Sequence, residues 1–514
     1  MSKRKDNKMK KYAVSAVAAL LAAGTSFAGP KIDTGANRVR TGLKLDMKRI
    51  GTIQPKSANE LGDGGWMIGC ECLDRDYANF DEYKEYLQPL GIKKIRIQSG
   101  WAKCEKEKGV YDFSWLDKTV DWANANGFTP MLSVGYGNPI YSDAKAHGAL
   151  SMFPVEGEYL EAWKKWLDAL AKHFAGRINS WETWNEAGNI PGVTPKMLAD
   201  NNILTAEIIR RHNPKAKVTG IVLGWLNDFE AILKELKATG KSELLSSVSV
   251  HLYFANPEQK ADDLDLKLKQ VAEHLPHAKL IMSESGAPSE MLPSHGYARW
   301  PFTEVSQAKL MLRRMLIDHS RNVDSSIFSI SDMHYDKGLE SIPFNNAKGI
   351  LAANSAREII RIKRAYYSAQ NIVTFFDDTV KVVPKAERRF VNNDETIWFD
   401  EYRSAGGHSV IAFWQWQKRD HAFDYKADRF RRVTTYPMPS ESFETRTFTF
   451  GATGKAFKRP VLVDMFSGRV YEFPMEDQIV HSRGIVYADV PVYDSPFVIT
   501  EFDALEGKFT PYAE

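Results

Sequence analysis

Three cysteines in 514 residues rule out a disulfide framework. Cys70, Cys72 and Cys104 are odd in number, so at most one bridge forms, from Cys104 to Cys70 or Cys72, or all three remain buried thiols. Their Cys-x-Cys spacing is not a zinc signature. An excess of one charge is also missing, with 68 Lys and Arg against 65 Asp and Glu. No apolar run is long enough to cross a bilayer as a permanent helix, so no membrane anchor is expected. Repeats and low-complexity linkers are lacking, and with them a solenoid or a loosely tethered array. The segment ahead of the third apolar run holds no metal cluster, and neither a metal nor another cofactor is expected.

The first 28 residues read as an address for export. Lys3, Arg4, Lys5, Lys8, Lys10 and Lys11 precede an apolar run from Ala13 to Ala23, and Ser26-Phe27-Ala28 offers a small-x-small cleavage site. A mature chain starting near Gly29 is expected in the periplasm or the medium. The address holds six Lys or Arg and one Asp, so the remaining chain carries a net charge of −2 against +3 for the whole. That removes the electrostatic footprint of a nucleic-acid partner.

From Trp66 to about Phe376, short β-branched runs alternate with amphipathic segments, the pattern of βα units around a parallel sheet. Eight such runs end near Cys70, Gln98, Val134, Asn185, Val222, His251, Glu284 and Asp332. This predicts an α/β fold, a (β/α)8 TIM barrel over residues 66–376, since such barrels typically run to about 250 residues. Leu160, Trp163, Leu167, Leu170 and Phe174 form one helical stripe that Gly176 stops, so Trp163 belongs to the core, as do Trp115 and Trp122. Beyond Phe376 the texture turns to alternating strands and turns. An antiparallel β-sandwich over 377–514 follows, with part of 29–65 returning to it as an extra strand.

The chemistry concentrates where strands end. Ser180-Trp181-Glu182-Thr183-Trp184-Asn185-Glu186 delivers an Asn-Glu pair at the close of the fourth run, and Leu280-Ile281-Met282-Ser283-Glu284 brings a second glutamate at the seventh. Glycosidic-bond cleavage needs two carboxyl groups in different environments, one to protonate the leaving oxygen and one to attack or stabilise the anomeric carbon. Glu182, on the same strand face and roughly 13 Å deeper by strand rise, reads as an interior carboxylate paired with a cation. Competing readings are a sugar-binding barrel without turnover and a phosphate-binding barrel, for which Ser285-Gly286 supplies too little glycine.

Trp184-Asn185-Glu186, Ser283-Glu284 and Val250-His251-Leu252-Tyr253 together resemble glycoside hydrolase clan A, the retaining (β/α)8 glycosidases. Arg96-Ile97-Gln98-Ser99-Gly100-Trp101-Ala102, the run from Glu105 to Asp117, and Tyr136-Gly137-Asn138-Pro139 look most like family 39 and its relatives. The resemblance implies a retaining O-glycoside hydrolase acting on an oligo- or polysaccharide, with a family 5-like endo-glycanase as the neighbouring reading. Glu186 would be the acid and base, which asks for a carboxyl protonated near neutral pH, and Glu284 the nucleophile, held by Arg96 and Tyr253. Asn185 would donate to the sugar 2-hydroxyl. The two carboxyl groups would stand about 5 Å apart. His251 is read either as a cleft residue or as a satisfied core histidine. Trp101, Tyr136, Asn138, Trp225 and Trp300 follow strand ends and could stack on or hydrogen-bond sugar rings, though each also suits packing. Clan members commonly carry a tryptophan on strand eight. Here Ser329-Ile330-Ser331-Asp332-Met333-His334 stands instead, and Asp332 and His334 are expected to contact the substrate.

Overall fold

The eight apolar runs fold as parallel strands Trp66–Gly69, Lys94–Gln98, Thr129–Ser133, Ser180–Glu182, Lys217–Leu223, Ser247–His251, Lys279–Ser285 and Asp324–Ile327, which close into a barrel. The ring is sealed where the first strand pairs with the eighth, Trp66 opposite Ser325 and Ile68 opposite Ile327. The computed structural model describes residues 30–512 except 36, 142–151, 225–227, 293–296, 298–299, 336–344, 417–421, 425–434 and 438. Met67, Met131 and Ile281, from strands one, three and seven, pack together as a buried cluster, in keeping with barrel layers built from alternate strands.

The amphipathic segments become the outer helices. Gly157–His173 buries Trp163, Trp166, Leu167 and Leu170 and stops ahead of Gly176, whose φ of +81° suits a residue without Cβ. Trp163 is fully buried, and Trp115 and Trp122 pack against the same core.

At the barrel mouth the strands depart from regular pairing. Register shifts fall between Gly220 and Leu223, Ser249 and His251, and Met282 and Ser285, in strands five, six and seven. Ile221 and Val222 take φ of 71° and 45°, a left-handed conformation that β-branched residues rarely adopt. Such bulges re-aim the side chains that follow them.

Beyond the barrel, an eight-stranded antiparallel sheet runs Lys381–Val382, Ile397–Arg403, Ser409–Gln415, Phe497–Glu501, Pro460–Asp464, Arg469–Glu472, Arg49–Ile53, Phe509–Pro511. A four-stranded sheet of Phe390–Val391, Arg446–Ala452, Gly484–Val492 and Gln478–His481 faces it. The segment ahead of the barrel thus supplies one strand, Arg49–Ile53, between two from the end of the chain. Every residue of Ser409–Gln415 is buried, because period 2 serves two cores: Ile411 and Phe413 point into the sandwich, while Val410, Ala412 and Trp414 join the core shared with the barrel. Leu462 and Ile499 divide from Val461, Val463 and Val498 in the same way.

Polar pins cross this junction. Glu258 takes two hydrogen bonds from Arg313, at 2.7 and 2.5 Å, and one from the Trp414 indole at 2.6 Å. Lys309 meets Asp494 at 2.6 Å. No disulfide forms: Cys70, Cys72 and Cys104 are free and buried.

Candidate active site

Arg96, on the second strand and fully buried, organises the mouth. Its guanidinium donates to Glu182 at 2.7 Å, Glu71 at 2.6 Å, Asn185 at 2.6 Å and Glu284 at 3.1 Å, using its donors in a fixed planar fork. Three carboxyl groups around one cation leave an excess of negative charge. Burial, helped by the charge of Glu284, pushes Glu71 up to about 8 against the pull of Arg96.

Glu284 is held on both oxygens, Oε1 by the Tyr253 hydroxyl at 2.6 Å and Oε2 by Arg96. The tyrosine stays protonated, because burial and the neighbouring carboxylate push its pKa far up. Glu186 stands opposite, at the head of a short turn with φ 50° and ψ 32°. Its Oε1 faces His251 Nδ1 at 2.9 Å and its Oε2 accepts from Asn189 at 2.9 Å. The other ring nitrogen of His251 meets Ser283 Oγ at 3.0 Å, and Ser283 Oγ meets Ser249 Oγ at 2.5 Å. His251 Nδ1 also lies 3.6 Å from Glu284 Oε2. Gly224 leaves the room for this arrangement, since a Cβ there would sit 2.5 Å from Glu186 Oε1.

Opposing influences act on Glu186 and His251. Burial pushes Glu186 up, but the hydrogen bond and charge of His251, with Arg96 and Asn189, bring it below the usual carboxylate value. Burial pushes His251 down, and the charges of Glu284 and Glu186 raise it above its ordinary value. Both directions favour the proton on the ring, whereas the acid role expected of Glu186 needs it on the carboxyl.

One ligand atom each of Glu186, His251 and Glu284 lies within 4.8 Å of the other two. A pair at 2.9 Å is a hydrogen bond, tighter than two ligands sharing one zinc at about 2.0–2.2 Å each. The cluster is therefore read as a hydrogen-bonded carboxylate–imidazole pair beside a second carboxylate.

These groups line a cavity of about 870 Å³ that also takes in Glu71, Arg75, Tyr136, Asn185, Trp300 and Lys348. Tyr136 accepts from Asn185 at 2.8 Å and lies under the Arg75 guanidinium. A slightly larger cavity, about 1010 Å³, opens beside Arg321 and Trp398. There Arg321 pairs with Asp265 and Arg388 with Asp400, and among the described residues the cluster of converging His and carboxyl groups lies at the mouth instead.

The structure brings together Arg96, Tyr136, Asn185, Glu186, His251, Tyr253, Glu284 and Trp300, and places four expected residues elsewhere. Trp101 is fully buried, stacked between Trp166 and Tyr141, with its indole donating to Glu105. Asn138 clamps its own loop by donating to the Glu105 carbonyl. The eighth strand ends at Ile327, short of the expected Asp332, and the chain then turns away. Asp332 is accordingly paired with Lys363 at 2.6 Å, and His334 bonds to the Ala353 carbonyl. Trp225 lies outside the described residues. Glu182 pairs with a cation as read, but the strand stops at Glu182, so strand rise does not separate it from Glu186 and both adjoin the Arg96 network. Glu71, Lys348 and Asn189 went unread. Glu71 was within reach, as a carboxylate two residues past the first strand end at Gly69.

A family model described as beta-galactosidase matches residues 76–139, which include the second and third barrel strands. Among solved structures, a family 39 glycoside hydrolase from the gut symbiont Bacteroides cellulosilyticus WH2 is similar over 87% of this chain and 83% of its own, at 14% identity and a TM-score of 0.60. A monomeric beta-xylosidase from Caulobacter crescentus CB15 is similar over 88% of this chain and 97% of its own, at 15% identity and a TM-score of 0.50. A family 30 endoxylanase from Clostridium papyrosolvens C71 is similar over 88% and 97%, at 12% identity and a TM-score of 0.51. The chain has the fold of these glycoside hydrolases, as the resemblance in its motifs implies.

Proposed function

We propose that the chain is an exported, retaining O-glycoside hydrolase that cleaves an oligo- or polysaccharide by double displacement. The observation that carries this is the approach of Glu186 and Glu284, with one oxygen of each carboxylate within 4.8 Å of the other across the mouth. Retaining enzymes hold their carboxyl groups about 5–5.5 Å apart, whereas inverting ones leave about 6.5–9.5 Å for a water. Glu284, fixed by Arg96 and Tyr253, attacks the anomeric carbon. Glu186 protonates the departing oxygen with the proton that it shares with His251, then removes a proton from the water that releases the sugar. Asn185, oriented by Arg96 and Tyr136, donates to the sugar 2-hydroxyl as the ring flattens.

A sugar-binding barrel without turnover is the competing reading. The intact set of both glutamates, Arg96, Asn185 and Tyr253 supports the enzyme. Proton NMR of the first-formed sugar from an aryl glycoside decides between mechanisms: an initial anomer of unchanged configuration supports double displacement, and an inverted one ends it. Export rests on the basic and apolar start of the chain, and sequencing of the mature amino terminus tests it. A start near Gly29 is expected.

A further inference from the structure

Lys348 is a buried ammonium with an open side. It follows the hairpin of Met333–His334 and Asn345–Asn346 beyond the eighth strand, and it lines the cavity together with Glu284 and Tyr253. Its ammonium lies 5.6 Å from the centre of the Tyr253 ring, whose hydroxyl holds Glu284. Its backbone is fixed, because Gln307 donates to the carbonyls of Ala287, Lys348 and Gly349 at 2.9, 3.4 and 3.0 Å. The residue is only 3% exposed.

Three buried lysines show what this position lacks, while a fourth, Lys267, makes do with the Gln270 side chain. Lys309, Lys363 and Lys508 meet Asp494, Asp332 and Asp377 at 2.6, 2.6 and 2.8 Å. Among the described residues, no carboxylate lies within 4.0 Å of the Lys348 ammonium. A buried cation without a partner is costly, and the cost is relieved when a ligand brings the missing anion. Burial pushes Lys348 down to about 8, with Glu284 and Glu186 pulling the other way, which leaves it mostly charged at neutral pH.

Resting on the glycosidase reading, we propose that Lys348 recognises an anionic group carried by the sugar that sits against Glu284, so that the substrate is an acidic saccharide. The anion is a carboxylate or a sulfate ester, and either would complete the pocket with an ion pair that a neutral sugar cannot form. A lysine that served only to support Glu284 would act on every substrate alike.

The test uses sets of 4-nitrophenyl glycosides of both anomers that differ only at C6, as hydroxymethyl, carboxylate or 6-sulfate. The expected result is a kcat/KM for one acidic member ~100-fold above its neutral partner, since a site built around a polar group rejects analogues that lack it. Which member leads tells carboxylate from sulfate. Lys348→Met should collapse that ratio toward one and Lys348→Arg should largely keep it. Preference for the neutral member, or a ratio that Lys348→Met leaves intact, overturns the inference, and the wild-type ratio alone decides if the variant does not fold. Turnover of none of the set counts against the glycosidase reading instead. The inference is then judged by calorimetry with free glucuronate, galacturonate and glucose 6-sulfate: binding lost in Lys348→Met supports it, and no binding, or binding that the substitution leaves unchanged, ends it.

Discussion

Glu186 and His251 meet at 2.9 Å, carboxylate Oε1 to ring Nδ1, close enough to share one proton. The ring is the favoured holder, because the glutamates raise His251 while His251 lowers Glu186. Acid catalysis needs that proton present, so the alkaline limb of kcat/KM reports its loss from the pair. The limb is expected above the ordinary histidine value of 6.5. In His251→Asn it should move down by about one pH unit or more, toward the carboxylate range. A pH profile with an unmoved limb would show that the ring does not share the proton.

Glu284→Ala and Glu186→Ala should each remove most turnover without unfolding the chain, since both carboxyl groups face the cleft. With an activated aryl substrate and azide, the Glu284 variant should yield a glycosyl azide of inverted configuration and the Glu186 variant one of retained configuration. Interchanged products, identified by NMR, would reverse the two roles.

Gly224→Ala would place a Cβ 2.5 Å from Glu186 Oε1 and 3.0 Å from Asn189 Nδ2. Both are ends of side chains, so they give way before the backbone does. Displacing the acid by about an ångström should lower kcat by roughly 100-fold. Thermal unfolding should barely change, and a fall in stability as large as the fall in rate would contradict this.

Glu258→Ala strands the Arg313 guanidinium in the junction of barrel and sandwich and removes the acceptor of the Trp414 indole. Breaking a buried pair from one side costs about 3–5 kcal/mol. Urea unfolding of the variant should show that loss as a lower midpoint, and a midpoint within error of wild type would count against a tight junction.

His319 packs on the Trp66 ring at 5.0 Å, with Phe376 and Tyr402 beside it. Burial lowers its pKa from 6.5 to about 4. The unfolded chain therefore takes up a proton near 6.5 that the folded chain refuses until about 4, so stability falls as pH drops through that window. The loss reaches about 3 kcal/mol at the low end. His319→Phe keeps the ring and should flatten this part of the melting-temperature profile.

Much of the barrel was legible because period 2 and the alternation with helices survive in the residues. Strand ends at Gln98 and His251 were read to the residue, where an apolar run stops at a polar group facing the cleft. The fourth strand was read too long, since Trp184 and Asn185 continue the pattern although the chain has already turned. Bulges in strands five to seven have no periodic signal, yet they aim His251 and Glu284 at each other's neighbourhood. Glu186 and Glu284 stood out as carboxylates that end apolar runs. Lys348 did not, because it arrives from a long connection after strand eight and its meaning lies in which partner it lacks.

The strand Arg49–Ile53 has both of its neighbours, Arg469–Glu472 and Phe509–Pro511, near the far end of the chain. As the chain folds, both of its edges stay open until those distant strands arrive. Closing such distant pairs carries a large loop-entropy cost, so the sandwich is completed late. Until then, a barrel that folds first leaves an apolar flank uncovered, the surface that Val410, Ala412 and Trp414 later seal. Chaperones that bind apolar surface would have their longest opportunity there, in the interval between closure of the barrel and completion of the sandwich.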